Sequence, residues 1–194
     1  NHMYSQVKGL ESDTEKLITS NINDFNGKIT DLEGLNRQIV NISMNGQAPN
    51  DLLDKRDVIL KELSSITDIF TNFDKYGRVE LSISDIEGNN VSILSFEGDK
   101  KIINIENGQL NTKDNDFTIN LKPESGKIKG YQNSLMYTRE HLRKLDELAG
   151  GMADHINQIH KSGSSGEDFF VFDGNAKTAL NIKVNQSIQD DNRL

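Results

Sequence analysis

The feature that most constrains this chain is an apolar seam of heptad spacing near its start. Ile18, Ile22, Phe25, Ile29, Leu32, Asn36 and Ile39 follow one another at intervals of 4, 3, 4, 3, 4 and 3. A residue every 3.5 positions keeps one narrow stripe on one side of a helix, and such a stripe is buried only against partner helices. The helical pattern runs from about Tyr4 to Met44, with the seam read as reaching toward the N-terminus through Leu10 and Leu17. At about 1.5 Å per residue, a helix of that length is roughly 60 Å long. Asn36 admits two readings. In the core it fixes register, because misaligned helices would leave its amide unpaired; alternatively Leu35 takes the core position and Asn36 faces water.

Composition agrees with narrow seams rather than one large round core. Only 34% of the 194 residues are hydrophobic and 6% aromatic, with no Trp. The net charge of −8 makes nucleic acid and anionic membranes poor partners, since phosphates would repel the chain at long range. Without cysteine there are no disulfides and no thiolate chemistry. No apolar run approaches the 18 or more residues of a membrane span. Asn1-His2-Met3 reads as a cloning remnant, and a chain that stops at Asp191-Asn192-Arg193-Leu194 reads as a trimmed piece of something longer.

The spacing predicts four further regions. After a turn at Asn45–Ala48, a second helix covers Pro49 to Ile66, with Asn50 or Asp51 placed to cap its free N–H groups. Its apolar face is Leu52, Ile59, Leu63 and Ile66, and Asp51–Lys55 and Asp57–Lys61 are candidate i,i+4 ion pairs. The period then changes to two: Val79, Leu81 and Ile83 alternate with polar residues, as do Phe117, Ile119 and Leu121. With the turn clusters between them, residues 67–122 read as a small antiparallel β module. Pro123 to Gly130 reads as a turn-rich return. A third helix follows over 131–161, its stripe marked by Leu135, Leu142, Leu145, Leu148, Met152, Ile156 and Ile159. Residues 162–194 read as a loop, Ser162 to Gly166, and short strands at Phe169–Phe172 and Leu180–Val184, the start of a further β segment. The fold class is therefore α+β: an elongated, coiled-coil-like helical domain from 4–66 and 131–161, carrying the β module.

No catalytic or metal constellation emerges. His155 and His160 are five apart, about 140° around a helix, and cannot share a ligand face as the i,i+4 pair of a zincin does. His141 and His155 share a face but lie roughly 20 Å apart along the axis. Asp24-Phe25-Asn26-Gly27 and Asp173-Gly174-Asn175 lack the spacing and closing glutamate of a calcium loop. There is no phosphate-binding glycine loop and no nucleophile elbow. The chain reads as no enzyme, with no cofactor.

Three stretches nevertheless carry a resemblance. Pro49-Asn50-Asp51-Leu52-Leu53-Asp54-Lys55-Arg56-Asp57 and its continuation to Ile66 form the most specific. The second is Tyr131 to Gly163, where Asn157 and His160 stand out; Gln158-Ile159-His160 departs from the pattern by one inserted or substituted residue. The third is Gly166-Glu167-Asp168-Phe169-Phe170. In order and approximate spacing they resemble the hook-associated protein 1 family of flagellar hook–filament junction proteins, strongly over about half the chain. The resemblance implies an exported, extracellular structural subunit of the bacterial flagellum, with terminal helices outside this sequence that polymerise. It implies as partners other copies of the chain, the hook protein, the second junction protein and filament subunits. It also implies an export chaperone engaging a C-terminal region outside this sequence. The residues that carry it are read as structural: Pro49, Asn50, Asp51, Leu52, Leu53, Asp54, Arg56, Asp57, Asn157, His160, Gly166, Phe169 and Phe170. A rival class, an extracytoplasmic ligand-binding sensor domain, also combines long helices with a β module.

Overall fold

The structure, a computed structural model, describes residues 2–163, 166–174 and 176–190. It divides into two compact units, Thr14–Ser134 on one side and Asn1–Asp13 with Leu135–Leu194 on the other.

In the Thr14–Ser134 unit the heptad seam of α1 (His2–Met44) is the spine: Ile18, Ile22, Phe25, Ile29, Leu32, Leu35 and Ile39 are all buried. The helix ends as the turn residues require. Gly46, at φ 75°, lets Gly46 N–H reach Ser43 O and Gln47 N–H reach Ile42 O, the paired closure of a Schellman motif. The second helix, α2 (Asn50–Ile66), adds Leu63 and Ile66 to the core. Two three-stranded antiparallel meanders follow: β1 (Phe70–Phe73), β2 (Val79–Ser84) and β3 (Asn90–Leu94), then β4 (Ile103–Glu106), β5 (Gln109–Asp114) and β6 (Phe117–Asn120). The period-two pattern of β2 is realised in full, with Val79, Leu81 and Ile83 buried and the alternate residues half-exposed. Asn107 and Gly108, both at positive φ, make the two-residue turn joining β4 to β5.

The third helix, α3 (Gly126–Gly163), begins five residues before the position the spacing predicts. Pro123, Gly126 and Gly130 suggest a turn in sequence, but the structure builds a helix start there. Asp68 Oδ1 accepts the N–H of Glu124 (2.8 Å) and of Ser125 (3.2 Å), and Ile128 is buried as an anchor.

In the other unit, Leu135, Leu142, Ala149 and Ala153 of α3 are buried. Leu148, Met152 and Ile159, expected on the buried stripe, are instead 68%, 47% and 70% exposed. Small side chains hold the close-packed positions and the larger apolar ones face out. On α1 the same substitution of types occurs: Leu10 and Leu17 are exposed, while Glu11 and Thr14 continue the heptad register of Ile18 inward. A hairpin of β7 (Phe170–Phe172) and β8 (Ile182–Val184) follows α3, then a short α4 (Gln186–Gln189). Of the expected loop from Ser162 to Gly166, Ser162 and Gly163 are the end of α3, and residues 164 and 165 lie outside the described residues.

Two buried carboxylates on α1, Glu11 and Glu33, are each held by two cations. Glu11 accepts from Lys8 Nζ (2.6 Å) and Arg139 Nε (2.8 Å). Glu33 accepts from Lys100 Nζ (2.8 Å) and pairs with Arg37. The Lys8 bond, then the Arg139 bond, holds Glu11 below its ordinary value of 4.5; for Glu33 the Lys100 bond leads. A depressed carboxyl contributes stability that is complete above its unfolded pKa and is lost as pH falls toward the folded value. Stability should therefore be flat from neutrality to about pH 5 and fall below 4.5, and Glu33→Gln should make that acid limb shallower in urea titrations.

Candidate functional site

The residues singled out by sequence gather at two places, each a joint between a helix and a strand.

At the first, the start of α2 is docked on the β1–β2 turn. Pro49 occupies the N-cap, its carbonyl accepting Leu52 N–H and Leu53 N–H, both at 3.0 Å. Neither Asn50 nor Asp51 supplies the side-chain cap that their positions suggest. Asn50 is the first helical residue, exposed, and Asp51 lies exposed in the first turn near the positive end of the helix dipole. Leu52 and Leu53 are half-buried, and a Cβ on Gly77 would fall 2.9 Å from Leu53 Cδ2. Arg56 reaches across to the same turn: Nη1 donates to Gly77 O (2.5 Å), and the guanidinium lies 4.6 Å over the Phe73 ring. Its other edge holds Asp57, with Nη2 to Oδ1 at 2.6 Å, in place of the expected Asp57–Lys61 pair. Asp74 rigidifies the turn from below, accepting Tyr76 N–H (3.0 Å), Arg78 N–H (2.8 Å) and Arg78 Nε–H (2.7 Å). Burial alone would raise the Asp74 pKa, but these donors together hold it below its ordinary value. So Leu53 and Arg56 face the turn, while Asp51, Asp54 and Asp57 face solvent. Arg56→Ala should cost about 1–2 kcal/mol, the loss of a charge-assisted bond and a cation–π contact, whereas Asp54→Ala should stay within about 0.5 kcal/mol. Urea denaturation midpoints of the two variants check this.

At the second, Asn157 of α3 grips the first residue of β7. Its Nδ2 donates to Phe170 O (2.9 Å) and its Oδ1 accepts Phe170 N–H (2.8 Å). One turn along, His160 Nδ1 lies 3.1 Å from Glu167 O, and its ring packs 5.6 Å from Phe169, which makes an edge contact with Phe170 at 4.9 Å. Gly166 sits at φ 84°, a conformation that favours glycine, and turns the chain back toward the helix.

The Asn157 geometry recurs at two positions on α1. Asn36, 2% exposed, donates to Val79 O (2.7 Å) and accepts Val79 N–H (2.9 Å). Asn26 does the same to Ile103, at 2.8 and 3.0 Å. Val79, Ile103 and Phe170 are the first residues of β2, β4 and β7. A carboxamide carries a donor and an acceptor side by side, as a peptide unit does, so it can pair with both backbone groups of a strand's first residue. The two readings of Asn36 resolve accordingly: it lies in the seam, and Leu35 is buried beside it. The only hint in sequence was polarity at a core position; Asn26 gave none.

Other candidates are dispersed. His155 Nδ1 faces Gly151 O within α3, and Asp24 pairs with Lys28 on α1. Among the described residues no group of three or more His, Asp or Glu side chains is arranged to hold a metal, and no helix is long and apolar enough to cross a membrane.

A helical scaffold carrying small sheets on side-chain clamps, its marked residues spent on joints between elements, has the make-up of a structural helical domain. Residues 1–170 match the family described as the flagellar hook-associated protein FlgK helical domain, and the chain belongs to that family. It is also 27% identical, over 228 residues and 98% of its length, to Flagellar hook-associated protein 1 of Bacillus subtilis (strain 168). The chain spans 45% of that relative. Nothing in these comparisons favours the sensor-domain reading.

Proposed function

We propose that this chain is the helical domain of a structural subunit of the bacterial flagellum, working without catalysis at the junction between hook and filament. The observation that carries this reading is the family match over residues 1–170, which takes in both joints. In this reading the subunit is exported and lies outside the cell. It assembles with further copies of itself, with hook protein on one side, and with the second junction protein and filament subunits on the other. An export chaperone engages a C-terminal region outside this sequence. The exposed acids of α2 and the exposed apolar residues of α3 are then free for neighbours, while Leu53, Arg56 and Asn157 keep the domain rigid.

The test is a chimera in which this chain replaces the matching segment of the Bacillus subtilis protein in a strain lacking the native gene. Restored filaments and swimming support the reading. A chimera that is exported and folded but leaves hooks bare of filament overturns it.

A further inference from the structure

The β7–β8 hairpin rests on α3 through half-buried apolar residues, none of them fully sealed. No described residue from 166 to 190 is buried, whereas β2 alone places Val79, Leu81 and Ile83 in the core of its unit. Polar contacts hold the hairpin in place. Asn157 pairs with Phe170 in both directions, Asp146 Oδ1 accepts Ala179 N–H (2.8 Å), and His160 meets Glu167 O. Exposed ion pairs join Lys161 to Asp168 (2.9 Å) and Lys177 to Asp154 (2.6 Å). Between helix and hairpin lies a cleft of about 560 Å³, with Asp154, Asn157 and Lys161 on the helix side and Phe170, Phe172 and Lys177 opposite.

We infer that the hairpin is a detachable strap: β7–β8 lifts from α3 as one body, with the Asn157–Phe170 pair as its latch, while α3 stays helical. The free energy of a local opening is set by the apolar surface it exposes and the bonds it breaks. Here no apolar side chain is fully sealed, Phe170, Val171, Phe172, Ile182 and Val184 being half-buried, and exposed ion pairs contribute little. The bonds within each body survive. The antiparallel ladder joining Phe170 to Val184 and Phe172 to Ile182 is internal to the hairpin, and the bonds of α3 are internal to the helix. Asn185 belongs to the moving body, since its N–H donates to Phe169 O (2.8 Å) and its Nδ2 to Asp168 O (2.9 Å). Opening therefore redirects the chain beyond Val184 without disturbing the helix that carries it. The inference stands apart from the flagellar reading and holds or fails without it.

Native-state hydrogen exchange of the chain tests it. The Phe170 and Ala179 amides are protected only by α3 side chains, and they should exchange at one common rate that is nearly independent of low denaturant. That rate should exceed the rate of Val79 N–H by about 100-fold or more. Asn157→Ala should speed both amides together by about tenfold and leave the amides of Leu145 and Ala149 unchanged. Asn157→Asp keeps the acceptor for Phe170 N–H and should fall between. Phe170 and Ala179 amides that exchange only with global unfolding, with its full denaturant slope, would overturn the strap. So would an Asn157→Ala variant that loosens α3 equally.

Discussion

Replacing Asn36 with Leu should lower the stability of this protein by about 2–3 kcal/mol, although it exchanges a polar core residue for an apolar one. Leu would fill the seam and add buried apolar area. It would also leave the N–H and C=O of Val79 without the partners that now lie 2.9 and 2.7 Å away, at a site 2% exposed. Each orphaned buried backbone group costs about 1–3 kcal/mol, which exceeds the gain from a better-filled seam. For a chain of this length the melting temperature should fall by about 4–12 °C in a thermal scan. An unchanged or raised melting temperature would mean that water or a backbone shift satisfies Val79 once the amide is gone.

Gly126→Ala should be at least as damaging, for a reason of space. Gly126 has φ 81°, and a Cβ there would lie 2.6 Å from Ile66 O, 2.8 Å from Ile66 C and 2.9 Å from Thr67 Cα. All three are backbone atoms at the end of α2 and cannot swing aside as a side-chain tip would. Left-handed strain of about 1–2 kcal/mol adds to the displacement, for a loss of about 3 kcal/mol or more. Gly34→Ala is the matched control. A Cβ at Gly34 meets nothing within 4 Å inside a helix, so it should raise stability by about 0.5–1 kcal/mol. Opposite signs for two glycine-to-alanine changes in one urea series separate position from propensity.

What sequence revealed of the fold follows from how burial is written into side chains. The stretch from Ile18 to Ile39 was legible because its buried residues are large and apolar at regular spacing. In β2, the alternation of Val79, Leu81 and Ile83 was legible for the same reason. The other unit was legible only in part. Leu135 and Leu142 are buried as their spacing predicts, but Glu11, Ala149 and Ala153 also point inward and a hydrophobicity pattern passes over them, while Leu10, Leu148 and Ile159 draw the eye and face outward. The start of α3 was hidden because its cap comes from Asp68, 56 residues before Glu124, a contact no local pattern contains.

The candidate site divides in the same way. Resemblance to a family picked out Pro49–Asp57, Asn157 and Phe170 as marked, but gave no mechanism. The reach of Arg56 to Gly77 O, and the two-way pairing of Asn157 with Phe170, depend on where a distant strand begins. Asn26 sits in a stretch without the spacing of a calcium loop and carries no local mark, yet it clamps Ile103 as Asn36 clamps Val79.

The central claim is that asparagine side chains on the helices stand in for a neighbouring strand at the points where strands begin. Side-chain amide exchange, read by NMR on the Nδ2 protons, tests it most directly. Asn36 Nδ2–H, donated to a buried carbonyl, should exchange slowest, with Asn26 protected to a lesser degree. The reference is Asn45, exposed at the end of α1, where Nδ2 donates only to Asn41 O. Protection of Asn36 by about 100-fold or more over Asn45, with a through-bond coupling from its Nδ2 to the Val79 carbonyl, is the predicted result. Exchange of Asn36 as fast as Asn45, with no such coupling, would contradict the account.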